Sequence, residues 1–532
     1  MSETVAEAMA AELEAAGIDR VFGLPGGEVV PLIDACRRRG IPFCLCRHEA
    51  NAGLMASVYG KLSGRPGVVL TTLGPGATNL LLPIGNSLLD REPLLAISAQ
   101  VPDAWPAHRI HQRLPLLDIF RPTTKLAAAI EPFSCRRTLR RALEVAFEEP
   151  AGPSYLTLSS ETARAPAHDP SRPIKEGRRT EPRDASAAAA QVRERLAQAE
   201  RPLLVVGLGF DPADAPLLRR WVEEWGLAVA VTPKAKGVAD ELSPHFGGVV
   251  GGMAIDTLVT DGVRQADLVL GLGLDPTEID GGWHGEVPML WILDSAWATG
   301  VVPAGDLVAT GGGTLLDALL DGSPPRPYDD PLAGVRAERR RLLEDRGHRA
   351  GTVRPLAAVR GLASALPEET IVTTDVGSHK FLFGQFWPSR QPQTFLMSNG
   401  LSGMGYGLPA AIGAKLARPQ RPVLAVLGDG GFSMNCQELE TARRLGAPII
   451  VTVLADRSLS MIRLAQRRRG LDAYGVDFDA IDSVRVAGAC GVRGCRVESE
   501  AELADAAREA LRCDRTTVIE VPVDVEDYVP II

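Results

Sequence analysis

The chain has 532 residues, and only 5% of them are aromatic. It also lacks any apolar run near the roughly 18 residues that a membrane span needs, so no membrane partner is expected. There is no excess of positive charge. Fifty-seven Lys and Arg stand against 66 Asp and Glu, a formal net charge of −9. A general nucleic-acid binder would show a basic face, so that class is disfavoured. CxxC pairs are absent as well. The eight cysteines (Cys36, Cys44, Cys46, Cys135, Cys436, Cys490, Cys495 and Cys513) are scattered, which weakens zinc and disulfide readings. They are expected to be the reduced thiols of a cytoplasmic protein. The first residues have neither a basic start nor an uninterrupted apolar stretch, so no signal peptide is read there.

What remains is an ordinary globular composition, 45% apolar and 23% charged. At roughly 150 residues per domain, the length suits three or four domains. Thr4 and Glu7 have capping-box spacing ahead of an amphipathic helix. Apolar runs that read as strands recur at Ile18–Leu24, Val68–Leu73, Leu94–Ser98 and Tyr155–Ser159. Others lie at Leu203–Gly207, Leu268–Leu272, Ile371–Thr374, Val423–Leu427, Ile449–Leu454 and Val518–Val521. Short apolar runs separated by helical stretches predict parallel sheets covered on both faces. Pro- and Arg-rich stretches at 163–186 and from Gly322 read as linkers. The expectation is an α/β fold of three doubly wound parallel-sheet domains: 1–163, a Rossmann-like middle domain at 187–322, and 335–532.

The most informative stretch runs from Pro422 to Ser458. A strand ends at Gly428-Asp429-Gly430-Gly431, a helix follows, and a second strand ends at Asp456. Parallel strands bring both carboxylates to one sheet edge, where open α/β sheets bind ligands. The glycines let a diphosphate approach the backbone closely. Two carboxylates with phosphate oxygens suit magnesium, which prefers hard oxygen ligands.

At these residues the sequence resembles the thiamine diphosphate enzymes of the acetohydroxyacid synthase and 2-oxo acid decarboxylase superfamily. VFGLPGGEVVPLIDA, CRHEANAGLMASVYGKLSG and VVLTTLGPGATNLLLPIGNSLLDREPLLAISAQ resemble its pyrimidine-binding domain. SNGLSGMGYGLPAAIGAKL and the Asp429–Asp456 stretch resemble its diphosphate-binding domain. The resemblance implies metal ligation by Asp429, Asp456 and the Ser458 carbonyl. Glu49 would hydrogen-bond the aminopyrimidine and promote loss of the thiazolium C2 proton, work that needs a poorly solvated carboxyl group. Met404, flanked by Gly403, would be the apolar wedge that bends the cofactor. The cofactor then serves as the electron sink for CO2 loss. Pro25, Gly74, Asn79, Gly377, Ser378, His379, Gly428, Gly430, Gly431, Leu459, Ser460 and Met461 complete the implied cofactor contacts. Gln112, His111 and Gly27, with Gly26 beside it, are the implied substrate-side residues. Lys125 matches a family lysine, with a structural salt bridge as its default reading.

Within the superfamily, His111-Gln112, the stretch around His379 and Asp at 456 resemble flavin-free, catabolic-type acetolactate synthases. Flavin-dependent relatives carry an Arg-containing loop where this chain has no Arg between Gly271 and Gly282. Gly207-Leu208-Gly209 is only a fragment of a dinucleotide fingerprint. No FAD is therefore expected. The leading function is decarboxylation of a small 2-oxo acid, pyruvate first, with carboligation to a second 2-oxo acid. The alternatives are simple decarboxylation or lyase chemistry, a ligase with an unusual acceptor, and a flavin-dependent pyruvate oxidase. Ala465 stands where anabolic relatives carry Trp and flavin-free ones usually Gln. Arg463, Arg467, Arg468 and Arg469 read as a solvated face. A homodimer or homotetramer with active sites between subunits is implied.

Overall fold

The computed structural model describes residues 2–102, 104–106, 108–169, 185–279, 283–293, 306–345, 351–529 and 531–532. Residues 170–184, most of the first expected linker, lie outside the described residues. No regular element lies between the helix ending at Leu320 and the one starting at Ala333, as the second Pro-rich stretch implies. The first helix is Val5–Ala15, and its capping box forms: Glu7 N donates to Thr4 Oγ1 and Thr4 N to Glu7 Oε2, at 3.3 and 2.8 Å.

Eighteen described strands form three six-stranded, all-parallel sheets. The first contains β1 (Val21–Leu24), β2 (Phe43–Leu45), β3 (Gly67–Thr71), β4 (Leu94–Gln100), β5 (Leu126–Ala129) and β6 (Pro153–Ser159). Its order is β2-β1-β3-β4-β6-β5. The second contains β7 (Pro202–Val206), β8 (Ala228–Val231), β9 (Phe246–Val249), β10 (Leu268–Leu272), β11 (Met289–Leu293) and β12 (Asp306–Ala309). Its order is β12-β11-β10-β7-β8-β9. The third contains β13 (Ile371–Thr374), β14 (Phe395–Met397), β15 (Val423–Gly428), β16 (Ile450–Ala455), β17 (Arg493–Arg496) and β18 (Thr517–Pro522), in the order β14-β13-β15-β16-β18-β17.

The first and third sheets thus repeat one topology, second-first-third-fourth-sixth-fifth. The middle sheet has the 3-2-1-4-5-6 order of dinucleotide-binding folds. Its central strand β7 is PLLVV and β10 is LVLGL, buried throughout. Such continuous apolar runs are what a parallel sheet covered on both faces requires.

Two compact units emerge. One comprises Met1–Arg178, Gly400–Gln420 and Asn435–Pro448; the other comprises Arg179–Asn399, Arg421–Met434 and Ile449–Ile532. In the first unit, helix Gly407–Ala417 crosses helix Glu49–Ser63 so closely that a Cβ on Gly413 would lie 2.4 Å from the Met55 carbonyl oxygen. Only glycine permits that approach. No described helix is long and apolar enough to cross a membrane, and all eight cysteines are free thiols.

Candidate active site

In the first unit the chain leaves β2 and enters helix Glu49–Ser63. His48 caps that helix, its Nδ1 accepting from Ala50 N at 3.1 Å. Glu49 therefore sits in the first turn, where the helix dipole favours a carboxylate, yet it is 7% exposed. Asn79 Nδ2 donates to Glu49 Oε2 at 2.9 Å. Gly74 ends the loop after β3 at φ +56°, and Gly76 leaves the space that Glu49 Oε1 faces. A Cβ on Gly74 would come within 2.9 Å of Gln112, so this glycine lets Gln112 close on the turn. Gln112 itself has φ +55° and is exposed, as is His111. Gly26 lies against Thr72, whose hydroxyl donates to Glu28 at 2.8 Å, whereas Gly27 faces open space and Pro25 is exposed.

The stretch around Met404 also belongs to this unit. Gly400 N donates to Asp90 at 2.8 Å, a Cβ on Gly403 would touch Leu82 at 3.4 Å, and Asn435 donates to the Gly405 carbonyl. Met404 is half-buried.

In the second unit β15 and β16 are neighbours, with Gly428 paired to Leu454. Asp429 and Asp456 follow the ends of these strands, as the sequence predicts. Asp429 accepts from Gly430 N at 2.9 Å and from Arg457 N at 2.8 Å; Asp456 accepts from Ser458 N at 3.1 Å. Burial raises the Asp429 carboxyl above its ordinary range. Burial, and then the charge of Asp429, push Asp456 up to about 7. Like charges held this close call for a cation, and a site of two carboxylates that phosphates complete is magnesium-like. No cluster of three metal-ligating side chains exists among the described residues.

The surroundings fit a diphosphate. Ser378 and Ser460 hydroxyls lie 2.8 Å apart, and Ser460 also hydrogen-bonds Asp456. Helices Ser378–Phe386 and Ser460–Arg468 both begin here without a side-chain cap, leaving N-terminal amides available to an anion. A Cβ on Gly431 would come within 1.9 Å of Asp375 Oδ2. The His379 ring packs on Gly377 and Gly428; burial lowers its pKa to about 4, and its buried Nε2 has no hydrogen-bond partner among the described residues. The Leu459 N–H donates to Val476 O at 2.8 Å. That bond and Phe478 N to Arg457 O fix the Ser458 loop. Met461 is half-buried.

Three family models match in chain order. "Thiamine pyrophosphate enzyme, N-terminal TPP binding domain" covers residues 3–119, the central domain 189–289, and the "C-terminal TPP binding domain" 375–521. Among curated proteins, an acetolactate synthase of Bacillus subtilis is 30% identical over 96% of this chain and 92% of its own length. The chain belongs to the thiamine pyrophosphate enzyme family.

Other relatives include the catabolic acetolactate synthase of Raoultella terrigena, 29% identical over 98% of this chain and 95% of that one. A probable 2-ketoarginine decarboxylase of Pseudomonas aeruginosa is 32% identical over 90% and 85%. Like them, this thiamine pyrophosphate enzyme is of the carboligase and decarboxylase class, with thiamine diphosphate as its cofactor.

Several residues of this thiamine pyrophosphate enzyme were not singled out by sequence. Glu438, fully buried, accepts from Arg47 N and Asn51 Nδ2, both at 3.0 Å, on either side of Glu49. Tyr528, also buried, has its pKa raised by burial and then by the charges of Asp456 and Asp429. No motif marked either residue, because their partners are distant in sequence. Lys125 donates to the carbonyls of Glu148 and Pro150 and so ties a loop, with the charges of Glu148 and Glu149 near it but no ion pair within contact distance among the described residues. Arg463 pairs with Asp477 and Arg467 with Glu526 at the surface, while Arg468 and Arg469 are exposed, as a solvated face requires. Ala465 is half-buried on the same helix.

Proposed function

We propose that the protein is acetolactate synthase-like: it decarboxylates a small 2-oxo acid, pyruvate first, and joins the remaining two-carbon unit to a second 2-oxo acid. Two pyruvates and one proton then give one acetolactate and one CO2. The buried Asp429–Asp456 pair after β15 and β16 is the observation that supports this reading most, and Glu49 held by Asn79 in the first unit adds to it. Bound thiamine diphosphate supplies the electron sink for decarboxylation.

The chain's own residues do the rest. Asn79 orients the Glu49 carboxyl, and burial keeps water from that oxygen. Glu49 holds and returns a proton at the pyrimidine end. Asp429, Asp456 and the Ser458 carbonyl would hold Mg2+, and the amides at Ser378 and Ser460 would orient the diphosphate. Gln112 and His111, with Gly27, would serve the substrate side, and Met404 would support the cofactor with its apolar side chain. A cytoplasmic homodimer or homotetramer with active sites between subunits is the assembly we infer.

A flavin-free enzyme is the form we propose, and Glu278 supports it. This buried carboxylate accepts from Leu208 N (2.8 Å), Thr232 Oγ1 (2.6 Å) and Lys234 N (2.8 Å). Those donors follow β7 and β8, at the carboxyl edge where a dinucleotide phosphate would bind. The Glu278 carboxyl, whose pKa burial raises, already uses them.

Simple decarboxylation is the second reading, favoured by the relative named as a decarboxylase and by the small Ala465. Pyruvate incubated with the protein, thiamine diphosphate and Mg2+, with products read by mass spectrometry, separates the two. Acetolactate supports ligation; free acetaldehyde with no acetolactate at saturating pyruvate rejects it.

A further inference from the structure

The second unit contains a cavity of about 910 Å³ that the cofactor does not account for. Helices Ala333–Glu344 and Pro355–Ala365 form two walls, and the segment from Glu241 to Phe246 forms a third. Its size lies within the range of about 300–1,000 Å³ typical of small-molecule sites. Phe246 opens β9, so the cavity is at the amino edge of the middle sheet, opposite the carboxyl edge that Glu278 fills.

Phe246, Leu343, Val359 and Phe386 give it an apolar lining. Most of its charges are already satisfied. Arg336 pairs with Asp330, Arg360 with Glu500 at 2.7 Å, and Glu241 with Lys236 at 2.6 Å. Glu344 is exposed at the rim.

Arg339 differs from these. Its guanidinium stacks over the Phe246 ring at 5.0 Å and donates once, to the Gln385 carbonyl at 2.9 Å. Its Nε is buried with no hydrogen-bond partner among the described residues, and the carboxylate whose charge reaches it, Glu241, is already paired with Lys236. Burial pulls its pKa down. A partly desolvated cation that shares its nearest carboxylate with a lysine is a costly arrangement that a ligand anion would relieve. Exposed Arg340 adds a second cation at the rim.

We propose that this cavity binds a small monocarboxylate with an apolar or aromatic body, its carboxylate on Arg339 and its body against Phe246 and Phe386. One anchoring guanidinium inside apolar walls matches a single carboxylate better than a multiply charged phosphate ester. Occupancy would bear on Gln385, the last turn of the helix that begins at Ser378.

Calorimetric titration of the full chain, loaded with thiamine diphosphate and Mg2+, tests this with 3-phenylpropanoate. That probe lacks an oxo group and is not a substrate. The uncharged 3-phenylpropanamide serves as control. The carboxylate should bind at least about tenfold more tightly than the amide, and Arg339→Met should erase that difference. Hydrogen exchange on the unaltered protein should show protection by the carboxylate confined to residues 241–246, 333–344, 355–365 and 385–388. This readout stands even if Arg339→Met fails to fold. Equal affinities for the two probes, no binding at millimolar concentration, or protection elsewhere would overturn the proposal.

Discussion

Asn51 donates to Glu438 at 3.0 Å, and the same carboxylate oxygen takes the Arg47 amide. Glu438 thereby grips the chain two residues before and two residues after Glu49. Thr441 adds a third donor at 2.6 Å. Glu438→Gln keeps the shape but replaces an all-acceptor group with one that must also donate. Hydrogen bonds to a buried charge contribute about 1.5–3 kcal/mol. Denaturant unfolding should show a loss of about that size, and turnover should fall with little change in KM, since Glu49 is displaced while the substrate side is untouched.

His379 sets an acid limit on stability. The unfolded imidazole takes up a proton as pH falls through about 6.5, but the buried ring does so only near 4. Its folded pKa is lowered, so stability is full above about 6.5, drops as pH falls toward 4 and levels off below. Between pH 7 and pH 5 this one group should cost about 2 kcal/mol. His379→Asn should flatten the stability profile in that window, as read by chemical denaturation.

The buried Glu278 carboxyl gives a test of the middle sheet. Glu278→Ala strands two backbone amides and should lower the melting temperature. Inorganic phosphate or ADP should restore part of that loss in the variant and leave the unaltered protein unchanged. Equal responses in both would show that the crevice is open in the native chain.

Gly431→Ala would drive a Cβ into Asp375, itself buried and accepting from Val376 N at 2.8 Å. Either the Asp375 carboxylate or the Asp429 turn must shift, and both lie beside the diphosphate-binding residues. Titration calorimetry should show Mg2+-dependent thiamine diphosphate binding weakened by roughly tenfold or more. Gly334→Ala, with open space around it, should bind normally.

Ten strands were legible as apolar runs because their burial on both faces leaves a continuous signature. The six sheet edges β2, β5, β9, β12, β14 and β17 were not. They are three or four residues long, and β17, RGCR, alternates exposed and half-buried positions. The inner strands β8 and β11 also went unread. Asp429 and Asp456 were legible because one strand–helix–strand unit carries both. Glu49 and Met404 needed the resemblance, and Glu438, Tyr528 and Glu278 needed coordinates, because their donors or charged neighbours come from several distant segments.

Exchange of the thiazolium C2 proton of bound thiamine diphosphate, followed by quenched-flow NMR, tests the role of Glu49 most directly. The account predicts fast exchange in the native protein. In Glu49→Gln it predicts exchange slowed by roughly a hundredfold or more, with metal-dependent cofactor binding largely retained. Equal exchange rates in the two fully loaded proteins would contradict it.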